Sequence, residues 1–208
     1  MNLVNITKFV RKHERLKSII LFTAINPVRI RPRCWVRFFR FMYISRGRKS
    51  VICRSARKDL VPFNKFSIGE KSIIEDFATL NNMVGGIEIG KRTRVGIGNV
   101  IIGPVKIGDN VIFAQNVVIS GLDHNYIDVN LPILDQGVST AEVIIEDEVW
   151  IGANSVVTKG TKIGKHSVIA AGSLVNKNVP PFCLVGGNPA RIIKRYSLES
   201  GRWEKVLL

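Results

Sequence analysis

From Ile68 onward an aliphatic or aromatic residue recurs at every sixth position, and this period excludes most folds open to a chain of this length. The first run is Ile68, Ile74 and Leu80. After a three-residue insertion the series resumes at Ile89, Val95, Ile101, Ile107, Phe113 and Ile119. A second break spans Leu122 to Glu142, and then come Ile145, Ile151, Val157, Ile163, Ile169 and Val175. The next residue is often small (Gly69, Gly90, Gly96, Gly108, Ala114, Gly152, Gly164, Ala170), and the fourth after is often small or β-branched (Ser72, Thr93, Val111, Ser155, Thr161, Ser167, Ser173). Helices place apolar residues at a spacing of about 3.6 and half-buried strands at about 2, so a strict six fits neither. It fits a coil with three flat sides, one hexad to a side, with the aliphatic pointing into a triangular prism and small residues at the corners. No hexad buries its apolar face alone, so stacked coils share one core.

Composition adds a second division. Of 208 residues, 46% are apolar, enough for a substantial core. The net charge of +15 is uneven. Residues 1–60 hold 16 Lys and Arg against Glu14 and Asp59, a net of +14, whereas residues 61–208 hold 15 against 14, a net of +1. We therefore divide the chain into a basic leader (1–60), a coil body (61–196) and a short tail (197–208). Up to about Ile20 the leader reads as an amphipathic helix, with Lys8, Arg11, Lys12 and Arg15 opposite Ile6, Phe9, Val10, Leu16 and Ile20. The run Arg33–Tyr43 then interleaves cations with aromatics, a composition suited to an anionic membrane interface, and a peripheral contact through residues 1–45 is expected. No stretch reaches the ~18 apolar residues of a spanning helix, and Ser18–Ile25 lacks the small-residue cleavage site of a secretory signal. Three cysteines, Cys34, Cys53 and Cys183, form no CxxC pair and suit a reducing cytoplasm, so the expected location is cytoplasmic, at most peripheral to the inner membrane face.

Interchangeable coils carry nothing unique on their faces, so chemistry is sought where the period breaks. The break at 121–142 opens Gly121-Leu-Asp-His-Asn-Tyr126 and contains His124. A neutral imidazole is suited to removing a proton near neutral pH. Past the loop stands Val149-Trp150-Ile151-Gly152-Ala153-Asn154. The C-terminal end reads Ala171-Gly-Ser-Leu-Val-Asn-Lys177, then Val179-Pro-Pro181, then Gly186-Gly-Asn-Pro-Ala-Arg191-Ile-Ile-Lys194. Asn81 and Asn82 mark the shorter break.

Over residues 64–196 this pattern resembles the hexapeptide-repeat acyltransferases, in particular the branch that acetylates galactosides, maltose and xenobiotics. The resemblance implies an all-β left-handed parallel β-helix, the use of acetyl-coenzyme A, and a homotrimer with sites between subunits. It implies that His124, at the start of the extended loop, is the general base. It implies that Trp150, Gly152, Ala153 and Ala171 line the coenzyme arm, a backbone N–H at Gly152 or Ala153 facing the thioester oxyanion. Lys177, Arg191 and Lys194 then approach the coenzyme phosphates, and Asn81 or Asn82 the acceptor. Asn176 stands where relatives often carry Thr.

The expected reaction is transfer of acetyl to a sugar hydroxyl of a surface polysaccharide or its lipid-linked precursor. An amino-sugar N-acetyltransferase and an antibiotic acetyltransferase share every body motif, and a catalytically silent scaffold shares the coil. A zinc enzyme on this coil needs three histidines, but the body has only His124 and His166, so no metal is expected. His166 falls at a corner position and His13 within the leader; neither is assigned chemistry. The body has no nucleic-acid motif, so no nucleic-acid partner is expected.

Overall fold

A computed structural model describes residues 19, 22–26 and 28–206. The leader's expected amphipathic helix therefore lies almost wholly outside the described residues. The body is a parallel β-helix of about six coils, and each coil contributes one short strand to each of three faces. The first face stacks Ile44–Arg46, Phe66–Ile68, Ile87–Ile89, Val105–Ile107, Val143–Ile145 and Lys162–Ile163. The second stacks Val51–Ile52, Ile73–Ile74, Arg94–Val95, Ile112–Phe113, Trp150–Ile151, Val168–Ile169 and Cys183–Gly187. The third stacks Arg57–Asp59, Thr79–Asn81, Val100–Ile102, Val118–Ser120, Val156–Val157 and Leu174–Val175.

Every residue of the six-period except Ile107 (5% exposed) and Ile89 (4%) is 2% exposed or less, so the period is the core. Hydroxyls at the corners hold neighbouring coils together. Ser72 Oγ donates to Gly90 O and accepts from Thr93 N; Thr93 Oγ1 donates to Gly108 O and accepts from Val111 N. These side chains are buried, so leaving one unpaired would cost about 1–3 kcal/mol. That requirement explains Ser and Thr at the fourth place after the aliphatic. The third place after it adopts left-handed backbone at almost every corner: Asn110 (φ 57°), Asn116 (55°), Asn154 (58°), Gly160 (71°) and Gly172 (70°). Asn and Gly tolerate that conformation best. His166 (φ 56°) occupies the same position and sits 3.1 Å from Glu148 on the coil below, as a corner residue.

The β-helix begins earlier than the period suggests. Ile44–Arg46, Val51–Ile52 and Arg57–Asp59 pair in register with the next coil, so residues 44–59 of the leader form coil one. Its register places Arg46 beneath Ile68 and Lys58 beneath Leu80, cations where every later coil has aliphatics. Lys58 Nζ donates to Cys53 O and Arg54 O, and burial beside Arg40 and Arg46 holds its amine below the usual lysine range. The helix Cys34–Phe38 and the 3-10 turn Phe39–Met42 precede this coil. Buried Val36 fixes them, as does the Tyr43 hydroxyl, which donates to Val36 O and Leu60 O. Arg31 and Arg57 both pair with the buried Asp59 carboxylate, at 3.1 and 2.6 Å. At the other end, Ala190–Ser197 pairs antiparallel with Cys183–Gly187 and Arg202–Lys205 with Ala190–Ser197, so the tail continues the second face.

Candidate active site

The loop at 121–142 leaves the corner between the third and first faces as an antiparallel hairpin. Leu122–His124 pairs with Val138–Thr140, with His124 opposite Val138. Lys159, on the same corner one coil further on, ties the hairpin down: its Nζ lies 3.3 Å from Asp123 Oδ2 and donates to Ser139 Oγ at 2.5 Å. Asn125 fixes the distal part by donating to Gly137 O and Gln136 O, and Gln136 closes the tip by donating to Asp128 O and Leu131 O. The His124 side chain is exposed and has no hydrogen-bond partner among the described residues. Beyond the hairpin, Tyr126, Ile127, Val129 and Leu134 are all exposed, an unusual load of apolar surface for a single loop.

Three of the predicted elements share this corner. Asn81, Ile102 and Ser120 occupy one register column on the third face, and Ser120 leads directly into the loop. Coils stack about 4.8 Å apart, so Asn81 lies roughly 10 Å below the hairpin base. Lys177 follows Leu174–Val175 on the same corner, two coils above that base. There Lys177 and Arg191 line one cleft with Asn176, Asn178 and Ala190. Lys194 is exposed on the adjoining strand, opposite Leu184.

Two expectations change. Asn82 is fully buried: its Oδ1 accepts from Val61 N at 2.7 Å, and its Nδ2 donates to Asn64 O at 2.8 Å and Val61 O at 3.2 Å. With both ends of its amide occupied and no exposed surface, it staples the turn after coil one and does not reach an acceptor. Gly152 N donates to Ile169 O at 2.8 Å within the parallel ladder, so it is not available to an oxyanion. Gly152 is glycine for packing, since a Cβ there would lie 2.5 Å from Ala171 N on the next coil. The amide of Ala153, a half-buried residue at the corner, has no backbone partner among the described residues, so of the two predicted donors it is the one the ladder does not use.

Trp150, Ala153 and Ala171 lie on the second face and on its corner with the third, whereas His124, Asn81 and Lys177 lie on the opposite corner of the third face. The turn at residues 115–116 and the extended stretch 117–120 separate these corners, and the extended stretch alone spans roughly 10 Å at about 3.3 Å per residue. The predicted site residues of one chain therefore fall into two groups on opposite edges of the third face. Among the described residues, no three His, Cys, Asp or Glu side chains cluster to hold a metal.

The family model described as bacterial transferase hexapeptide (six repeats) matches residues 86–121 and 142–177, the coils on either side of the hairpin. These two stretches carry the six-residue repeats that the model describes. Among curated relatives, the hexapeptide-repeat chain is 32% identical over 142 residues to a Mycobacterium tuberculosis protein named as a probable acetyltransferase, covering 67% of this chain and 46% of that one. It spans about half or less of the length of the curated relatives it first matches. Among solved structures, a hexapeptide-repeat acetyltransferase from Vibrio cholerae is 28% identical, with a TM-score of 0.53 and 73% of each chain covered. AntD, an N-acyltransferase from Bacillus cereus crystallised with dTDP and 3-hydroxybutyryl-CoA, shares the fold at 21% identity, with a TM-score of 0.66 and 79% and 89% of the chains covered.

Proposed function

We propose that the hexapeptide-repeat chain is an acetyl-coenzyme A-dependent acetyltransferase that modifies a sugar hydroxyl, with His124 as general base. The observation that carries this reading is the corner column. An acceptor-side Asn81, a histidine on a braced hairpin, and a cleft with Lys177 and Arg191 follow one another along a single edge. In the proposed reaction the His124 imidazole takes the hydroxyl proton as the oxygen attacks the thioester carbonyl. The Ala153 N–H stabilises the oxyanion, the C–S bond then breaks, and the imidazolium returns the proton to the departing thiolate. Lys177 and Arg191, with exposed Lys194 beside them, suit the phosphates of the coenzyme.

The separation of the two groups of residues supports a homotrimer in which one copy's hairpin lies against its neighbour's Trp150 edge. The exposed apolar loop supplies surface for such a contact. A membrane-proximal glycan is the acceptor class that the basic leader favours. The corner column would serve an amine acceptor equally well, and AntD is named an N-acyltransferase, so the nature of the product decides between ester and amide.

The test is coenzyme A release with a panel of sugars, amino sugars and lipid-linked glycans. His124→Ala should lose at least ~100-fold in turnover while still binding coenzyme A. Near-normal turnover removes the mechanism. A product that resists hydroxylamine is an amide and overturns hydroxyl transfer. Light scattering that gives only monomer at micromolar concentration overturns the shared site.

A further inference from the structure

The N-terminal end of the prism carries a surface that acetyl transfer does not use. Cys34–Phe38 and Phe39–Met42 face the core through Val36, but Trp35 is 51% exposed, Phe38 73%, Phe41 74% and Met42 72%. Val28 and Ile30, in the preceding turn, are 89% and 65% exposed. These side chains are held in place and do not belong to a loose tail. Trp35 Nε1 donates to Thr23 O, Phe38 packs edge-on to Phe39 with centroids 5.2 Å apart, and Arg31 anchors the segment to Asp59.

Cations crowd the same segment of chain. Residues 22–59 contain eleven Lys and Arg and one acid, Asp59. Only Arg31 and Arg57 pair with it among the described residues. Arg29, Arg37, Arg48, Lys49 and Arg54 remain exposed without an acidic partner among those residues. The first face of the later coils is built differently, its cations matched with acids: Lys65 with Glu88, Lys106 with Glu142, Lys162 with Glu146. The largest charge imbalance therefore lies in the segment that carries the aromatics.

We propose that this end is a membrane-docking plate, which inserts Trp35, Phe38, Phe41 and Met42 at the interface of an anionic bilayer while the arginines and lysines of the segment meet the headgroups. An apolar patch alone would fit a protein partner, and a basic patch alone would fit a nucleic acid. Fixed exposed aromatics in a segment rich in unmatched cations fit a lipid surface, where rings enter the acyl boundary and cations stay at headgroup depth. The plate lies at the coil-one end, so the prism axis stands away from the bilayer and the His124 hairpin lies on coil four. This inference concerns binding alone and does not rest on the acetyl-transfer reading.

The experiment is sedimentation of the full chain with vesicles of phosphatidylcholine alone or mixed equally with phosphatidylglycerol. The wild-type chain should pellet with the anionic vesicles at low salt and be released as salt shortens the Debye length from about 10 Å at 0.1 M to about 3 Å at 1 M. The double variant Phe38→Ser, Phe41→Ser should partition roughly tenfold or more weakly. Arg37→Glu with Arg48→Glu should lose the preference for anionic lipid. All these side chains are exposed, and an unchanged thermal midpoint confirms that each variant is folded. No pelleting at low salt, equal binding to neutral vesicles, or undiminished binding by the aromatic variant overturns the proposal. Tight binding to duplex DNA that the aromatic variant retains in full would also overturn it, in favour of a nucleic-acid surface.

Discussion

Asn82 separates two roles that its neighbour Asn81 cannot. Replacing Asn82 with Ala removes the acceptor of the Val61 N–H and the donor to Val61 O and Asn64 O. Both Asn82 and Val61 are fully buried, so water cannot replace the lost partner of that N–H without opening the turn. An orphaned buried donor costs about 1–3 kcal/mol. The cavity left by the amide adds about 1 kcal/mol. A total of about 3 kcal/mol corresponds to a thermal midpoint lower by roughly 6–12 °C for a chain of this size. Turnover per folded molecule, and the KM for the acceptor, should stay near wild type. Asn82→Asp should show a pH signature. A buried carboxyl has its folded-state pKa raised, so the defect should be smallest below about pH 4, where the group is protonated in both states, and grow as the pH rises. The assay is denaturant unfolding at fixed protein concentration, with initial rates measured in parallel. An Asn82→Ala midpoint within about 0.5 kcal/mol of wild type, together with a raised acceptor KM, would refute the staple and restore the acceptor role.

Gly152→Ala should destabilise the coil stack severely, because its Cβ meets the Ala171 backbone, and the soluble yield and thermal midpoint should fall together. Gly137→Ala, at φ 74° with open space around it, should cost only about 1 kcal/mol in the same assay. Lys159→Met should lower kcat/KM by roughly 10–100-fold through loss of hairpin placement. Its pair with Asp123 is half-exposed and worth no more than about 1 kcal/mol, so the thermal midpoint should hardly move. Lys162 and the Lys165 backbone N–H hold the Glu146 carboxyl below its usual range. The stability it adds is therefore present above its unfolded pKa of about 4.3 and is lost as the pH falls through the lower folded value. The difference between wild type and Glu146→Gln should follow that decline in acid unfolding.

The coils from Ile68 to Val175 were legible because one position per hexad is sealed in the core and admits little but aliphatics. Coil one was hidden because two of its three positions in the six-residue column, on either side of Ile52, are the cations Arg46 and Lys58. At the open end of a prism a cation can reach carbonyls or solvent, so the apolar rule lapses there. Within the site, the hairpin and its histidine were visible as an interruption of the period. The separation of His124 from Trp150 could have been found by counting hexads in threes, since His124 follows a third-face side and Trp150 stands on a second-face side. Asn81 and Asn82 are identical in type and differ by one residue in register, which turns one outward and the other inward; composition is blind to that. Lys159 gave no local signal, because its partners Asp123 and Ser139 reach it only through coil stacking.

The stacked coils also govern how insertions act. One coil is eighteen residues, as in the pairing of Ile87 with Val105. Duplicating a whole coil between Asn81 and the hairpin would lengthen their separation by one step of about 4.8 Å and leave every side chain facing as before. Duplicating a single hexad keeps the six-period intact and the core apolar, yet turns everything beyond it by a third of a revolution. His124 would then leave the third face while Asn81 stayed on it, and a well-folded prism would carry a dismantled site. Changes in multiples of six are therefore silent to stability, and only multiples of eighteen keep the corner column together.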